Sequence, residues 1–427
     1  MNLYLFNEAI GMAKTYGIGV YLRELVHALE GSGINIFIVH LFSERQKFEI
    51  ETVQHSSLTC PVENWYIPKG HIGNASYYTL QLMEYYYRNV AYLLRSHIKD
   101  TGDLVFHFNF NLCSVLAREL KVAFNCKTVA AVHYTNWHVV LYGNLSIFHE
   151  IKAKPEAKRN NTEQEILDFA EKEKSFFMEI DRVIALSRHM YEILENEYQI
   201  DSDKISVIPN GLVDASPKSP VDKAGLRRKW NFSENESLIL FAGRLDQVKG
   251  ITFLIRAFRD VLPECPDCRL IIAGDGDFDI CVKEIKDICA RITFTGFIAR
   301  NELHALYQIA DVGVVPSLYE PFGYVAAEMM MHGLPIVATT TSGLNEVVDE
   351  TCGLKVPVTE LPDKMDIDTS LLAQKILHLL QHPAEAKRLG GNARKRYLEK
   401  YAMPVYRKNM LDFYQSLFVE YKENKIQ

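Results

Sequence analysis

The stretch VGVVPSLYEPFGYVAAEMMMHGLPIVATT, residues 312–340, decides the fold. It opens on one apolar run, VGVVPS (312–317), and closes on another, PIVATT (335–340). Neither run alternates polar with apolar residues, so each reads as a strand covered on both faces, as in a parallel sheet. Parallel neighbours need a crossover, and FGYVAAEMMMHG between them has the composition of a helix. Glu320 stands in the loop before that helix and Glu328 inside it, eight positions later, with Pro321, Phe322, Gly323 and Tyr324 following the first.

The same rhythm extends in both directions. Upstream, LYLFN (3–7), INIFIVHL (34–41), LVFHFN (104–109), KTVAAVHY (127–134), RVIALS (182–187) and ISVIP (205–209) read as buried strands. Helical patterns near 18–30, 76–99, 111–124, 163–179 and 188–197 separate them. The segment IPNGLVDASPKSPVDKAG (208–225) has the Pro, Gly, Asp and Ser content of a turn and linker. Strands then resume at LILFAGRL (238–245), RLIIAG (269–274), ITFTGF (292–297), VGVVPS, PIVATT and GLKVP (353–357). The expected fold is α/β: two doubly wound, Rossmann-like domains with a cleft between them, the hinge lying near 208–220. Residues 1–210 form the first domain and 211–400 the second. A helical tail, 401–427, returns to the first.

Composition narrows the function. With 427 residues, 48% hydrophobic and 24% charged, the chain describes an ordinary globular protein of two or three domains. A formal net charge of -7 argues against a nucleic-acid partner. Eight scattered cysteines fit reduced thiols in the cytoplasm. The N-terminal stretch lacks a secretory signal, and no run of about 18 apolar residues is present to span a bilayer. Two segments leave room for a peripheral membrane contact at the inner face. One is the charged stretch 150–176, with Lys152, Lys154, Lys158 and Arg159, which otherwise reads as a solvated face. The other is the aromatic helix YYTLQLMEYYYRNVAYLL, which otherwise reads as core.

The carboxyl ends of the second domain's strands collect the chemistry. Pro321 suits the first position of a helix, which leaves the N–H groups of Phe322, Gly323 and Tyr324 without intrahelical partners and open to an anion. Glu320 and Glu328 would then accept hydrogen bonds from hydroxyls on either side of a phosphate; otherwise they are a surface carboxylate and a helix carboxylate paired with a base. In FAGRLDQVKG, Arg244 and Lys249 suit a diphosphate, and in IIAGDGDF, Gly274 and Gly276 suit a tight strand-to-helix turn. No Asp-x-Asp triplet is expected on a strand end, which leaves no pair of carboxylates for a metal there. The first domain offers Gly17 and Gly19 at the start of its first helix, and His133 at a strand's carboxyl end. The cysteine spacing of Cys265 and Cys268, followed by Cys281 and Cys289, matches a zinc site formally, but reads as incidental.

In their combined order, ISVIPNGLVD, LILFAGRLDQVKGITFLIRAF, RLIIAGDGDF, ITFTGF and DVGVVPSLYEPFGYVAAEMMMHGLPIVAT resemble the retaining GT-B glycosyltransferases of family four, formerly glycosyltransferase group 1. The resemblance implies a UDP- or GDP-linked sugar as co-substrate, no cofactor and no catalytic metal. It implies transfer to a carbohydrate or lipid-linked glycan in surface polysaccharide or glycoconjugate assembly, with the anomeric configuration retained. By the same resemblance Glu320 holds hydroxyls of the transferred sugar, Glu328 the ribose, and Arg244 and Lys249 the diphosphate. Phe297 and Ile298 line the base, Gly17 lies near the phosphates, and His133 contacts the donor sugar. The chain departs from the family at Tyr16 and Ser342, where glycines are frequent, and in a long segment after His133 containing Tyr134, Trp137 and His138. A sugar phosphorylase on the same fold, and a catalytically silent nucleotide-sugar-binding scaffold, are the alternative functions.

Overall fold

The computed structural model describes residues 1–8, 17–54, 61–69, 80–99, 102–285 and 287–423. Tyr16 and the first residues of the expected aromatic helix, 76–79, lie outside these. Contacts divide the chain into two units, one of Met1–Asn136, Asn160–Gly211 and Met403–Gln427, the other of Trp137–Arg159 and Leu212–Ala402. Residues 137–159, expected from the sequence in the first domain, therefore make their contacts with the second.

The first unit is built on β1 (Asn2–Glu8), β2 (Asn35–Ser43), β3 (Glu49–Val53), β4 (Val62–Pro68), β5 (Leu104–Phe108), β6 (Lys127–Val132), β7 (Arg182–Ala185) and β8 (Ile205–Val207). Their order is β3-β4-β2-β1-β5-β6-β7-β8. All neighbours are parallel except β3 and β4. The apolar runs become the central strands because both faces are covered: every residue of β5 is buried. β3 and β4 are additions to the expected set. EIETV alternates half-buried and exposed positions, as an edge strand does, so it has no continuous apolar run to announce it. The expected aromatic helix is seen as Leu80–His97; Tyr87, Val90, Ala91 and Leu94 are buried, while Tyr85 and Tyr92 face outward. The C-terminal helix Met403–Glu423 packs along Gly17–Leu29. Arg407 from it donates to the Ala28 and Glu30 carbonyls at 2.6 and 2.7 Å, a cation at the helix's carboxyl end.

The second unit carries β9 (Ser237–Ala242), β10 (Cys268–Ala273), β11 (Ile292–Gly296), β12 (Val312–Val315), β13 (Ile336–Thr339) and β14 (Gly353–Val356), all parallel. A short antiparallel pair, β15 (Val358–Glu360) and β16 (Met365–Ile367), stands apart. The main order is β11-β10-β9-β12-β13-β14. Counted from its own first strand this is 3-2-1-4-5-6, the doubly wound arrangement, whose direction reverses between β9 and β12. Helix Ile251–Val261 shows why the sequence folds so: Ile251, Leu254, Ile255, Phe258 and Val261 recur at helical spacing and are all fully buried.

Candidate active site

In a doubly wound sheet the loops on either side of the reversal diverge to opposite faces and leave a crevice at the strands' carboxyl ends. Here those loops are 243–250, after β9, and 316–323, after β12. The strand β9 ends at Ala242, and Gly243 follows at φ 148°. Its N–H donates to the Ala273 carbonyl at 2.9 Å, and Gly274 (φ 150°) donates to the Gly296 carbonyl at 3.0 Å. The backbones approach so closely that a Cβ on Gly274 would lie 1.8 Å from the Gly243 oxygen. A Cβ on Gly250 (φ 67°) would lie 1.8 Å from the Pro316 oxygen, beside the bond from Leu318 N–H to the Val248 carbonyl at 2.8 Å. The loops after β9, β10 and β12 and the end of β11 are thus joined side by side.

This lacing brings the predicted charges together. Lys249 Nζ donates to Glu320 Oε2 at 2.5 Å across the reversal point, with side chains 24% and 15% exposed. Asp246 holds both cationic residues of its loop. Its Oδ2 pairs with the Arg244 guanidinium at 2.9 Å, and its Oδ1 accepts from the Lys249 backbone N–H at 2.9 Å. Asp246 is missing from the residues singled out in the sequence, although an Asp three residues ahead of a helix-entry residue is a turn-forming signal.

Glu320 is held by its backbone as well. The Ser342 hydroxyl accepts from the Glu320 N–H at 3.0 Å and donates to the Glu320 carbonyl at 2.8 Å. Thr341 Oγ1 donates to the Leu318 carbonyl and Thr339 Oγ1 to the Ser317 carbonyl, both at 2.6 Å. Three hydroxyls leaving β13 therefore fasten the loop leaving β12. The TTTSG run (339–343) is the sequence signal for this, beyond the departure at Ser342.

The helix after Glu320 starts later than expected. It spans Tyr324–Met331, and Pro321 is not its first residue. Gly323, at φ 108° and ψ 58°, is left-handed, so a right-handed helix cannot run through it. The first intrahelical bond runs from Ala327 N–H to the Gly323 carbonyl at 3.0 Å. The N–H groups of the first helical turn are thereby those of Tyr324–Ala326 rather than Phe322–Tyr324, and Glu328 stands about one turn inside the helix rather than two. Phe322 is buried, its ring 5.6 Å from that of Tyr401, so its side chain belongs to the core.

Glu328 is buried and accepts from Tyr307 Oη at 2.9 Å and from Arg300 at 3.4 Å. Burial and this carboxylate hold the Tyr307 hydroxyl well above the usual phenol range. The reading of a helix carboxylate paired with a base thus describes its contacts here. Exposed Phe297 and half-buried Ile298 follow β11, at the same edge. Asp275-Gly276-Asp277 is an Asp-x-Asp triplet following β10, where none is expected. Its backbone pairs with Leu245, and Asp277 Oδ1 accepts from Asp279 N–H at 3.1 Å, which gives it a structural task. Among the described residues no group of three or more His, Cys, Asp or Glu is placed to hold a metal ion. Cys265, Cys268, Cys281 and Cys289 are free thiols.

The segment after His133 reaches this edge of the second unit. Trp137 is stacked on Phe148 at 4.1 Å, and the buried His138 ring on Tyr319, beside Glu320, at 4.9 Å and 15°. Tyr142 Oη donates to Gln247, between Asp246 and Lys249, at 2.9 Å. His138 thus packs against the loop that carries Glu320, and Trp137 packs between His138 and Phe148. Tyr134 stays with the first unit, its carbonyl accepting from Asn111 Nδ2 at 2.5 Å.

Gly17, Gly19 and His133 belong to the first unit. Gly17 opens helix Gly17–Leu29 with open space where a Cβ would stand, nothing lying within 4 Å of that point, and Gly19 lies in its first turn. His133 follows β6, half-buried, its ring edge-on to Tyr21 at 4.5 Å and its Nε2 3.2 Å from Asn109 Oδ1. Burial pulls its pKa down to about 3, so the ring is neutral near pH 7.

Two family models match the chain: "Glycosyl transferases group 1" over residues 222–396 and "Glycosyltransferase Family 4" over residues 15–215. An uncharacterized glycosyltransferase of Methanocaldococcus jannaschii is 33% identical over 244 residues, 55% of this chain and 60% of that protein. A D-inositol 3-phosphate glycosyltransferase of Pseudarthrobacter chlorophenolicus is 26% identical over 357 residues, 80% of this chain and 78% of that protein. The match takes in only 60% and 49% of the lengths of the first two curated relatives. Among solved structures, sucrose-phosphate synthase from Thermosynechococcus elongatus superposes with a TM-score of 0.74 at 24% identity, covering 98% of this chain and 99% of that one. The Anabaena protein HepE, solved with UDP-glucose, gives 0.68 at 18% identity, covering 97% and 100%. These two likenesses carry the fold, which is GT-B. With one family model on each half of the chain, and the motifs of both at the expected strand ends, the chain belongs to the group 1 glycosyltransferases.

Proposed function

We propose that the protein transfers a sugar from a UDP- or GDP-linked donor to a hydroxyl of a carbohydrate or lipid-linked glycan, with retention at the anomeric carbon and without a catalytic metal. The observation that carries this reading is the Lys249–Glu320 pair at the reversal point of the second sheet, with Arg244 on the same loop. HepE, a fold relative, has been solved with UDP and with UDP-glucose, which supports a nucleotide-sugar donor.

The chemistry follows from charge. As the bond from the anomeric carbon to the diphosphate breaks, its electron pair leaves with the nucleotide. Lys249, Arg244 and the helix start at Tyr324 place fixed positive potential where that charge grows. Glu320 accepts from hydroxyls of the sugar, and Lys249 lets a carboxylate sit near a diphosphate without unbalanced repulsion. The acceptor oxygen bonds to the anomeric carbon on the face the nucleotide leaves, and its proton passes to the departing phosphate oxygen. Glu328 takes the ribose hydroxyls with lone pairs beyond those engaged by Tyr307 and Arg300, while Phe297 and Ile298 flank the base. His133 meets the sugar, and Gly17 the phosphates. In this reading the enzyme works on surface polysaccharide or glycoconjugate precursors at the cytoplasmic side of the membrane. No helix among the described residues is long and apolar enough to cross a bilayer.

The test is incubation with a panel of UDP- and GDP-sugars in excess chelator, scored by release of free nucleotide and by thermal shift. Turnover of one donor without added metal is the expected result. Binding without turnover on any acceptor mixture would favour the scaffold reading, and activity restored only by manganese or magnesium would refute metal independence.

A further inference from the structure

His133 is one of two histidines meeting a buried polar cluster in the first unit, and its surroundings determine more than its position. Asn109 follows β5 and is 1% exposed. Its Nδ2 donates to the Phe6 carbonyl of β1 at 3.0 Å, and its Oδ1 faces His133 Nε2 at 3.2 Å. A backbone carbonyl can only accept, so turning the amide over would set two oxygens against each other in a buried place. The amide is therefore fixed with its oxygen toward His133. An amide oxygen can also only accept, so the proton of the imidazole must lie on Nε2. The lone pair is then on Nδ1.

We propose that Asn109 is a positioning residue that fixes His133 as the Nε2–H tautomer, so that Nδ1 accepts a hydrogen bond from a hydroxyl of the transferred sugar. This rests on the reading of His133 as a donor-sugar contact. The ring is prevented from turning over by Tyr21, packed edge-on against it at 4.5 Å and 74°. Tyr21 is itself anchored: its hydroxyl lies 3.3 Å from His107 Nε2, whose Nδ1 lies 2.7 Å from Tyr414 Oη. All three are buried. Burial keeps both histidines uncharged at neutral pH, which agrees with a ring that offers one proton and one lone pair. The consequence is a direction for recognition. A ligand group that can only accept, such as a fluorine in place of the hydroxyl, finds no proton at Nδ1.

The experiment uses full-length protein labelled with ¹⁵N-histidine, with His133→Gln identifying the His133 signals. Nitrogen shifts report which ring atom is protonated, without ligand or turnover. The expected spectrum at pH 7 shows a neutral ring with the proton on Nε2. In Asn109→Leu the two tautomers should mix, and kcat/KM should fall about tenfold or more while the unfolding temperature of the wild type serves as the fold control. A wild-type ring protonated on Nδ1 overturns the inference, whether or not the variant folds. A wild-type Nε2–H ring in an enzyme whose His133→Gln variant transfers sugar normally would refute the sugar contact, and with it the proposed hydrogen bond, while leaving the tautomer assignment standing.

Discussion

Ser342 offers a perturbation whose sign can be worked out in advance. It sits at φ 35°, in the left-handed region, and its hydroxyl bridges the N–H and carbonyl of Glu320 at 3.0 and 2.8 Å. Removing the hydroxyl deletes two hydrogen bonds, each contributing about 0.5–1.5 kcal/mol net, so Ser342→Ala should destabilise the second unit by about 1–3 kcal/mol. Alanine keeps the left-handed strain. Glycine loses the same bonds but relieves strain of about 1–2 kcal/mol, partly offset by about 0.5–1 kcal/mol of extra unfolded-state entropy. Ser342→Gly should therefore be the milder variant. Both free the Glu320 backbone, so both should lower kcat/KM for the donor beyond any effect on folding. Denaturant melts followed by a donor-turnover assay on the folded fraction give the two readouts. Glycine as damaging to stability as alanine would refute the strain argument. Unchanged turnover in both variants would refute the idea that the hydroxyl clamps Glu320 for function.

Lys249→Ala and Arg244→Ala should each reduce turnover tens- to thousands-fold at saturating donor, within the range for removing one preorganised group from a developing charge, with little change in the melting curve. Gly250→Ala should cost about 3 kcal/mol or more, since its Cβ would meet the Pro316 oxygen at 1.8 Å at φ 67°; Gly296→Ala, at φ 65° with nothing within 4 Å, should cost only about 1 kcal/mol, and equal melts would refute the close-approach account. Burial pushes the Glu173 carboxyl up to about 7, although Tyr198, the Asn136 N–H and Asn111 donate to it. The unfolded chain releases that proton near the usual carboxylate value and the folded one only near 7, so this group's contribution to stability is lost as pH rises from about 5 to 8. Glu173→Gln should flatten that slope in thermal melts, and an unaltered slope would refute the assignment.

How much of this is legible in the sequence depends on what each residue signals by itself. Continuous apolar runs expose the strands of both parallel sheets, because burial on two faces removes polar residues altogether. The edge strand β3 escapes, since an edge needs only one apolar face and EIETV looks like a solvated turn; β4, paired between β3 and β2, escapes because VENWYIP carries polar residues within its run. Arg244, Lys249 and Glu320 stand out in the sequence because charged residues at strand ends have few structural duties, and the structure pairs Lys249 with Glu320. Asp246 and Ser342 are not, because their importance lies in which backbone atoms they reach, and a long-range partner such as the Glu320 N–H leaves no mark beside Ser342. The helix start is misplaced for a related reason: Pro321 carries a strong local preference for the first helical position, and the left-handed Gly323 overrides it. The transfer of residues 137–159 to the second unit rests on contacts such as Tyr142 to Gln247, 105 positions apart, for which the sequence has no local counterpart.

These gaps share a physical logic. In the proposed function a carboxylate that accepts hydroxyls beside a diphosphate has to be held against its own repulsion, and side-chain charge alone holds it loosely. Here Lys249 neutralises it, while the loop carrying it is fixed from two sides. On one side the backbones of 243–250 and 316–318 approach so closely that only glycine fits at Gly250. On the other, the hydroxyls of Thr339, Thr341 and Ser342 grip the Ser317, Leu318 and Glu320 carbonyls. Neighbouring strands β9, β12 and β13 supply these constraints in spatial order, so the sheet's 3-2-1-4-5-6 topology does more than open a crevice. It sets the loop of the fourth strand between the loops of the first and fifth. Rigidity at Glu320 is thus a consequence of strand order, and the residues that deliver it are those with the least charge.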